Sequence, residues 1–125
     1  MEFVGICIIT KDVPALTEFY KKVLGVEAEG NIVHAELKTR GAAIAIFSVE
    51  GMEKMAPGCM RGAGYGSYTI GFTVTNVDAE YERLKDMGIE FIRPPTNQWG
   101  YRAMFFRDPD RNIVNFACPL TSQST

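Results

Sequence analysis

The sequence predicts an α+β protein of two tandem βαβββ modules, in which a curved mixed sheet surrounds a cavity and helices cover the outer face. Three observations lead to this prediction. The chain has 125 residues, a length typical of one domain. The order of strand and helix patterns in the first half recurs in the second. The strand that opens each half alternates large branched residues with small ones.

We therefore expect a single domain over residues 1–125. Module one would cover 1–50 and module two 67–119, with a glycine-rich loop at 51–66 between them and a flexible tail at 120–125. A repeat of this length is a duplicated half-domain and not a solenoid unit.

Composition and charge exclude several classes of protein. With 46% hydrophobic and 22% charged residues, the chain is neither disordered nor a disulfide scaffold. A net charge of −2 gives no basic surface of the kind that binds nucleic acid. The longest apolar runs, 6–9 and 42–47, are too short to span a membrane, and the first residues lack a signal-peptide pattern. We expect a soluble cytoplasmic protein with no nucleic-acid or membrane partner.

In the first module, alternation over 3–9 predicts a strand, and Asp12 followed by Pro14 predicts the start of a helix. Its apolar stripe recurs at helical spacing until Gly25, which ends it. Three further strands are predicted at 26–29, 31–38 and 42–49.

The second module repeats this order. A strand is predicted at 67–74, followed by a helix that starts at Asn76, carries a stripe ending in Met87, and stops at Gly88. Strands are predicted at 89–92, 101–107 and 113–118, and 94–98 is predicted to be a loop.

The segment 51–66 differs from both modules. It contains five glycines and three methionines and shows no apolar period. Two interpretations remain open and compatible: a linker between the modules, or a mobile lid whose methionines adapt to an apolar ligand.

Small residues on one face of the opening strands, among them Gly5, Cys7 and Thr69, predict a cavity on the concave side of the sheet. The alternative is that they only accommodate a tight bend. We expect Cys7 to be buried there, with a raised thiol pKa and little reactivity.

Several motifs occur in an order and spacing that cover nearly the whole chain: Asp12-Val13, Phe19-Tyr20 and Val23-Leu24-Gly25, the run from Gly71 to Asp78, Leu84 to Gly88, Trp99-Gly100-Tyr101-Arg102, and Asp108-Pro109-Asp110-Arg111-Asn112. Together they resemble the vicinal oxygen chelate superfamily, which includes glyoxalase I, bleomycin-resistance proteins and extradiol dioxygenases. The family usually has glycine where Arg111 stands, so this turn should either carry backbone strain or differ in shape.

The resemblance also implies where a metal would be held in the family's enzymes. The corresponding positions are Gly5, Thr69 and Asn115, with a fourth near Phe47 or Ser48. Glycine offers no side-chain donor, and neutral hydroxyl and amide groups are poor ligands for a divalent transition metal. We expect no metal and no cofactor, as in the bleomycin-resistance-like branch.

Candidates for catalysis are weak. His34 is the single histidine and is predicted to be a structural strand residue, and Glu50, the carboxylate nearest the fourth position, is predicted to be solvated. Arg102 could bind a ligand carboxylate or pair with a surface acid. The predicted ligand-binding residues share a place on the cavity face or at its rim: Gly5, Cys7, Phe47, Thr69, Trp99, Tyr101, Arg102 and Asn115.

These features favour a protein that binds a small planar or apolar molecule without a metal and without breaking a bond. A glyoxalase-like lyase or isomerase with a non-standard metal or acid–base site is the alternative, and a regulatory or assembly module is a third. The resemblance further implies a homodimer.

Overall fold

A computed structural model describes residues 1–64 and 68–120 and divides the chain into two compact units, Met1–Gly64 and Tyr65–Thr125. Each unit contains a four-stranded mixed sheet, and the α+β prediction with two βαβββ modules is confirmed. Three parts of the prediction lie outside the described residues. They are the start of the second module at residue 67, the last two positions of the 51–66 segment, and positions 121–125 of the tail predicted at 120–125.

In the first unit the strands are arranged in the order β1-β4-β3-β2, with β1 and β4 parallel and the other pairs antiparallel. The elements are β1 (Gly5–Thr10), α1 (Val13–Leu24), β2 (Ala28–Gly30), β3 (His34–Leu37), β4 (Ala43–Ser48) and α2 (Val49–Met55).

Helix α1 has the ends that the sequence predicts. The Asp12 carboxylate accepts a hydrogen bond from the Ala15 N–H at 3.0 Å, which satisfies one of the free amides of the first turn. Gly25 ends the helix in the left-handed conformation, with φ 66°. Leu16 and Tyr20 are fully buried on the face of α1 that packs against β3 and β4.

Helix α2 is an element that the sequence did not predict, and the prediction of 51–66 as a segment without regular structure is wrong at its start. The Ser48 hydroxyl accepts from the Gly51 N–H at 2.9 Å and caps the helix. A Cβ on Gly51 would lie 2.6 Å from the Phe47 ring, so the glycine lets α2 approach β4 closely. The formation of α2 therefore depends on tertiary packing, which the amino-acid composition of this segment does not indicate.

The second unit repeats the topology, with strand order β5-β8-β7-β6 and a parallel β5–β8 pair. The elements are β5 (Thr69–Thr73), α3 (Val77–Leu84), β6 (Phe91–Gln98), β7 (Tyr101–Arg107) and β8 (Ile113–Pro119). The predicted loop at 94–98 is wrong, because β6 continues through it. Because β6 is an edge strand and its register shifts between Arg93 and Thr96, Pro94 and Pro95 fall at an irregularity of the ladder, where a missing N–H is tolerated.

Helix α3 begins as predicted, because the Asn76 side chain accepts from the Ala79 N–H at 2.9 Å. It ends at Leu84, earlier than expected, and Met87 is exposed and not part of its packed stripe. No helix among the described residues is both long and apolar enough to cross a membrane.

The turn between β7 and β8 carries the strain that its sequence suggests. Arg111 has φ 69°, a region that disfavours every residue with a side chain except Asn and Asp. The turn is held by the buried Asp108 carboxylate, which accepts from the Asn112 N–H and the Asp110 N–H, both at 2.9 Å.

Candidate ligand-binding site

The second sheet has one face packed on α3, and no helix described within the second unit lies on the other face. Phe106, Val114 and Phe116 are buried on the packed side, and α3 contacts β6, β7 and β8. Because side chains alternate along a strand, the intervening residues point to the other side. We call this other side the helix-free face.

One row of residues crosses all four strands of the helix-free face. The strand register places Gly71 beside Asn115, Asn115 beside Phe105, and Phe105 beside Arg93. A Cβ on Gly71 would lie 2.8 Å from Asn115 Oδ1, so the glycine makes room for the Asn115 amide. Close packing of this row accounts for the glycine at position 71 of β5.

Arg93 reaches this face because of an irregularity in β6. Phe91 pairs with Phe106 on the packed side, whereas Arg93, two residues later, pairs with Phe105, only one residue earlier on β7. The extra residue is a β-bulge, which reverses the side to which the following side chains point. Arg93 therefore lies on the face opposite to that of Phe91.

A pocket of about 340 Å³ lies on the helix-free face. Its floor consists of small residues, its walls include aromatic rings, and its polar groups are few. The lining residues are Arg93, Gln98, Trp99, Tyr101, Ala103, Phe105, Asn115 and Ala117. Three of the predicted ligand-binding residues, Trp99, Tyr101 and Asn115, are brought together here, whereas Thr69 is exposed in β5 outside the lining.

Trp99 stands at the rim in a strained position. Gln98 pairs with Tyr101, so Trp99 and Gly100 form a two-residue hairpin loop with φ 59° and 80°. Such loops need positive φ at both residues and usually contain Asn-Gly or Gly-Gly. The Trp99 side chain is nonetheless 89% exposed, which rules out a role in the core. Trp99 is thus a bulky aromatic held at positive φ beside the pocket, a backbone conformation that is unfavourable for it.

Arg93 is a pocket residue that the sequence analysis missed. Its guanidinium carbon lies 4.9 Å from the centre of the Phe105 ring, in cation–π contact. Nη1 donates to Gln98 Oε1, and Nη2 donates to the Ala103 carbonyl at 3.4 Å. In the sequence, Arg93 is marked only as a cation that precedes two prolines. The direction of its side chain depends on the bulge in β6.

Arg102 is not among the lining residues. Its guanidinium forms a bidentate pair with Asp78, with Nε–Oδ2 at 2.6 Å and Nη2–Oδ1 at 2.7 Å. Nη1 also donates to Asn97 Oδ1 at 3.0 Å. These hydrogen bonds hold the pKa of the Asp78 carboxyl below its ordinary value and raise the pKa of Arg102. Of the two roles considered for Arg102, the surface-acid pair is the one observed.

The first unit carries the remaining candidates, which lie on the face of its sheet opposite α1 except for Glu50 in α2. His34 pairs with Phe47 across β3 and β4, and their rings meet edge-to-face at 5.8 Å. A Cβ on Gly5 would lie 2.1 Å from the Ala43 carbonyl oxygen, so close approach of β4 accounts for this glycine. Glu50 is exposed in the first turn of α2 and not in a loop.

Cys7 corrects one expectation and confirms another. The side chain is exposed and not buried, because it lies on the sheet face that α1 does not cover. Partial desolvation still raises the pKa of its thiol, as expected. A raised thiol pKa lowers the thiolate fraction and so disfavours nucleophilic chemistry at Cys7.

The donor groups do not fit the metal that the family's enzymes hold. The corresponding positions present a glycine at Gly5, a hydroxyl at Thr69 and an amide at Asn115. Within 1–64 and 68–120, no three His, Cys, Asp or Glu side chains are grouped as a metal ion requires.

Comparison with known proteins agrees with the fold and the repeat. A sequence profile described as the Glyoxalase/Bleomycin resistance protein/Dioxygenase superfamily matches residues 3–116, and the chain belongs to this superfamily. The resemblance noted from the sequence motifs is thereby confirmed.

Individual relatives are distant but cover the whole fold. The chain is 26% identical over 122 residues to the uncharacterized protein YraH of Bacillus subtilis (strain 168), covering 91% of this chain and 95% of the relative. A family enzyme from Burkholderia phytofirmans PsJN has a TM-score of 0.85 at 20% identity, covering 96% of this chain and 100% of that chain. A glyoxalase/bleomycin resistance protein/dioxygenase from Nocardioides has a TM-score of 0.81 at 22% identity, covering 98% and 85%. At such identities the structural likeness shows the fold alone.

Proposed function

We propose that this protein binds a small, planar, mainly apolar molecule in the pocket of its second unit, and that it breaks no bond in doing so. The observation that carries the proposal is the pocket itself. It combines a small-residue floor with rings from Tyr101, Phe105 and Trp99 in a volume of about 340 Å³. Aromatic stacking adds about 0.5–1.5 kcal/mol per ring pair beyond the burial of apolar area.

The proposal includes binding without a metal. The donor set at Gly5, Thr69 and Asn115 supports this, since none of these residues offers imidazole, thiolate or carboxylate. The test is elemental analysis of tag-free protein that has been incubated with zinc, nickel and iron and then desalted. About one retained ion per chain would overturn metal-free binding and favour the lyase or isomerase alternative.

Nothing in the pocket lining has the geometry of a catalytic pair. The catalytic candidates His34 and Glu50 are both exposed residues of the first unit, and neither is hydrogen-bonded to a nucleophile among the described residues. We further propose a cytoplasmic homodimer, following the family resemblance, and sedimentation analysis of the purified protein would test the dimer.

Binding can be tested with 2-naphthamide, a neutral planar probe, by isothermal titration calorimetry. We expect saturable binding with one site per chain, weakened about 5- to 100-fold by Trp99→Ala, the loss expected for one aromatic contact. Met87→Ala is the matched control, because Met87 is an exposed apolar residue of the same unit outside the pocket lining. No saturable binding, or equal losses in both variants, would contradict the proposed site.

A further inference from the structure

Arg93 is a permanent cation placed in a mainly apolar pocket. It is half-buried, with its guanidinium against the Phe105 ring. Among the described residues no carboxylate forms an ion pair with it, although six other cations of those residues do have such a partner. A desolvated charge without a counter-ion is costly to a protein and favours a ligand that supplies one.

The hydrogen bonds of Arg93 leave donors free. Of its five N–H groups, one donates to Gln98 and one to the Ala103 carbonyl, both uncharged acceptors. The Nε–H is buried and has no partner among the described residues. Gln98 is exposed at the end of β6, so a charged acceptor could replace its side chain without disturbing the sheet.

Asn115 provides a second, neutral group beside the same ring. It is the neighbour of Phe105 on β8, and its side-chain amide makes no hydrogen bond within 1–64 or 68–120. The pocket thus places a cation on one side of Phe105 and a free amide on the other. This arrangement matches a flat ring that carries an anionic substituent.

We propose that the ligand is a planar aromatic carboxylate, bound with its ring against Tyr101 and Phe105 and its carboxylate on the Arg93 guanidinium. Asn115 lines the pocket on the other side of Phe105 from Arg93. This inference rests on the proposed function and specifies its ligand class. Planar carboxylates suit arginine because two parallel N–H···O bonds can form at once.

Two probes of the same shape test the charge. 2-Naphthoate carries a carboxylate where 2-naphthamide carries a neutral amide, and both are titrated calorimetrically. In the wild-type protein we expect 2-naphthoate to bind about 10- to 100-fold tighter, the range for hydrogen bonds to charged groups. In Arg93→Gln the two affinities should become equal to within about threefold, whatever the change in 2-naphthamide binding itself. Arg93→Lys should keep part of the preference for the anion.

Arg102→Gln is the matched control, since Arg102 is a nearby cation of β7 that is already paired with Asp78. It should leave the preference for 2-naphthoate unchanged. A preference that survives in Arg93→Gln, or one that is lost in Arg102→Gln instead, would overturn the assignment. Equal binding of both probes by wild type would overturn the ligand class but leave the proposed function standing. Failure of both probes to bind would count against the proposed function itself.

Discussion

Arg102 and Asp78 connect β7 to the first turn of α3 through two parallel hydrogen bonds of 2.6 and 2.7 Å. The pair is solvent-exposed, yet the guanidinium fork matches the carboxylate in a fixed geometry. The pair also engages Arg102, the cation that the sequence suggested as a partner for a ligand carboxylate. The cation that lines the pocket is instead Arg93, on the other face of the sheet.

This pair should make a small, acid-sensitive contribution to stability. The pKa of Asp78 is lowered in the folded state, mainly by hydrogen bonds from Arg102. Its contribution is therefore present above the unfolded-state pKa and is lost as the pH falls through the folded-state pKa. A double-mutant cycle of Asp78→Asn and Arg102→Gln, measured by urea unfolding, should give a coupling of at most about 1 kcal/mol at neutral pH. The coupling should vanish well below the pKa of Asp78, and one that persists there would mean that the pair does not act through charge.

Trp99→Asn should separate stability from binding. Asn adopts positive φ more easily than Trp, so the hairpin loop should become more stable by up to about 1 kcal/mol. The same change removes the rim aromatic, so 2-naphthamide should bind at least about fivefold more weakly. Urea unfolding and calorimetry measure the two effects. Reduced stability, or unchanged binding, would show that Trp99 does not hold a strained conformation for the ligand.

Arg111→Gly should relieve strain in the β7–β8 turn. The comparison variant is Arg111→Ala, which loses the same side chain, including its contact with Glu90 at 2.6 Å, but keeps a Cβ at φ 69°. The glycine variant should be about 1 kcal/mol more stable than the alanine variant. The difference between the free energies of unfolding of the two variants measures the backbone strain at position 111 alone. Equal stabilities would mean that the turn relaxes at no cost.

Glu53 should order the turns that follow α2. Its carboxylate oxygens accept from the Gly58 N–H at 2.8 Å and the Met60 N–H at 3.1 Å. Hydrogen exchange in the ligand-free protein should therefore show slower exchange at these two amides than at Gly62 and Gly64. Glu53→Ala should remove that difference, whereas Lys54→Ala, an exposed neighbour, should not. Strong protection across the whole of 56–64 would contradict the idea of a mobile lid.

Much of the fold could be predicted because its signals are local. Asp12 and Gly25 mark the ends of α1 by capping chemistry that involves only neighbouring residues. The two copies of the βαβββ order are visible as repeated patterns. The family's usual glycine at the position of Arg111 led us to expect either backbone strain or a different turn, and the positive φ of Arg111 shows the strain.

Local sequence patterns did not predict the elements whose formation depends on tertiary packing. Helix α2 depends on Gly51 lying against the Phe47 ring, a contact that no composition rule anticipates. The extension of β6 through two prolines depends on its place at the sheet edge, which is a property of strand order.

The sequence by itself determined the repeat, both caps of α1 and the N-terminal cap of α3, and the Gly, Thr and Asn residues that stand where the family's enzymes hold a metal. These follow from residue type and spacing along the chain. Only the tertiary structure decided which arginine enters the pocket. The bulge in β6 between Phe91 and Arg93 turns Arg93 onto the helix-free face, while α3 brings Asp78 to Arg102. Both outcomes depend on the register between strands and on the packing of a helix, and residues that are distant in the chain set those relationships.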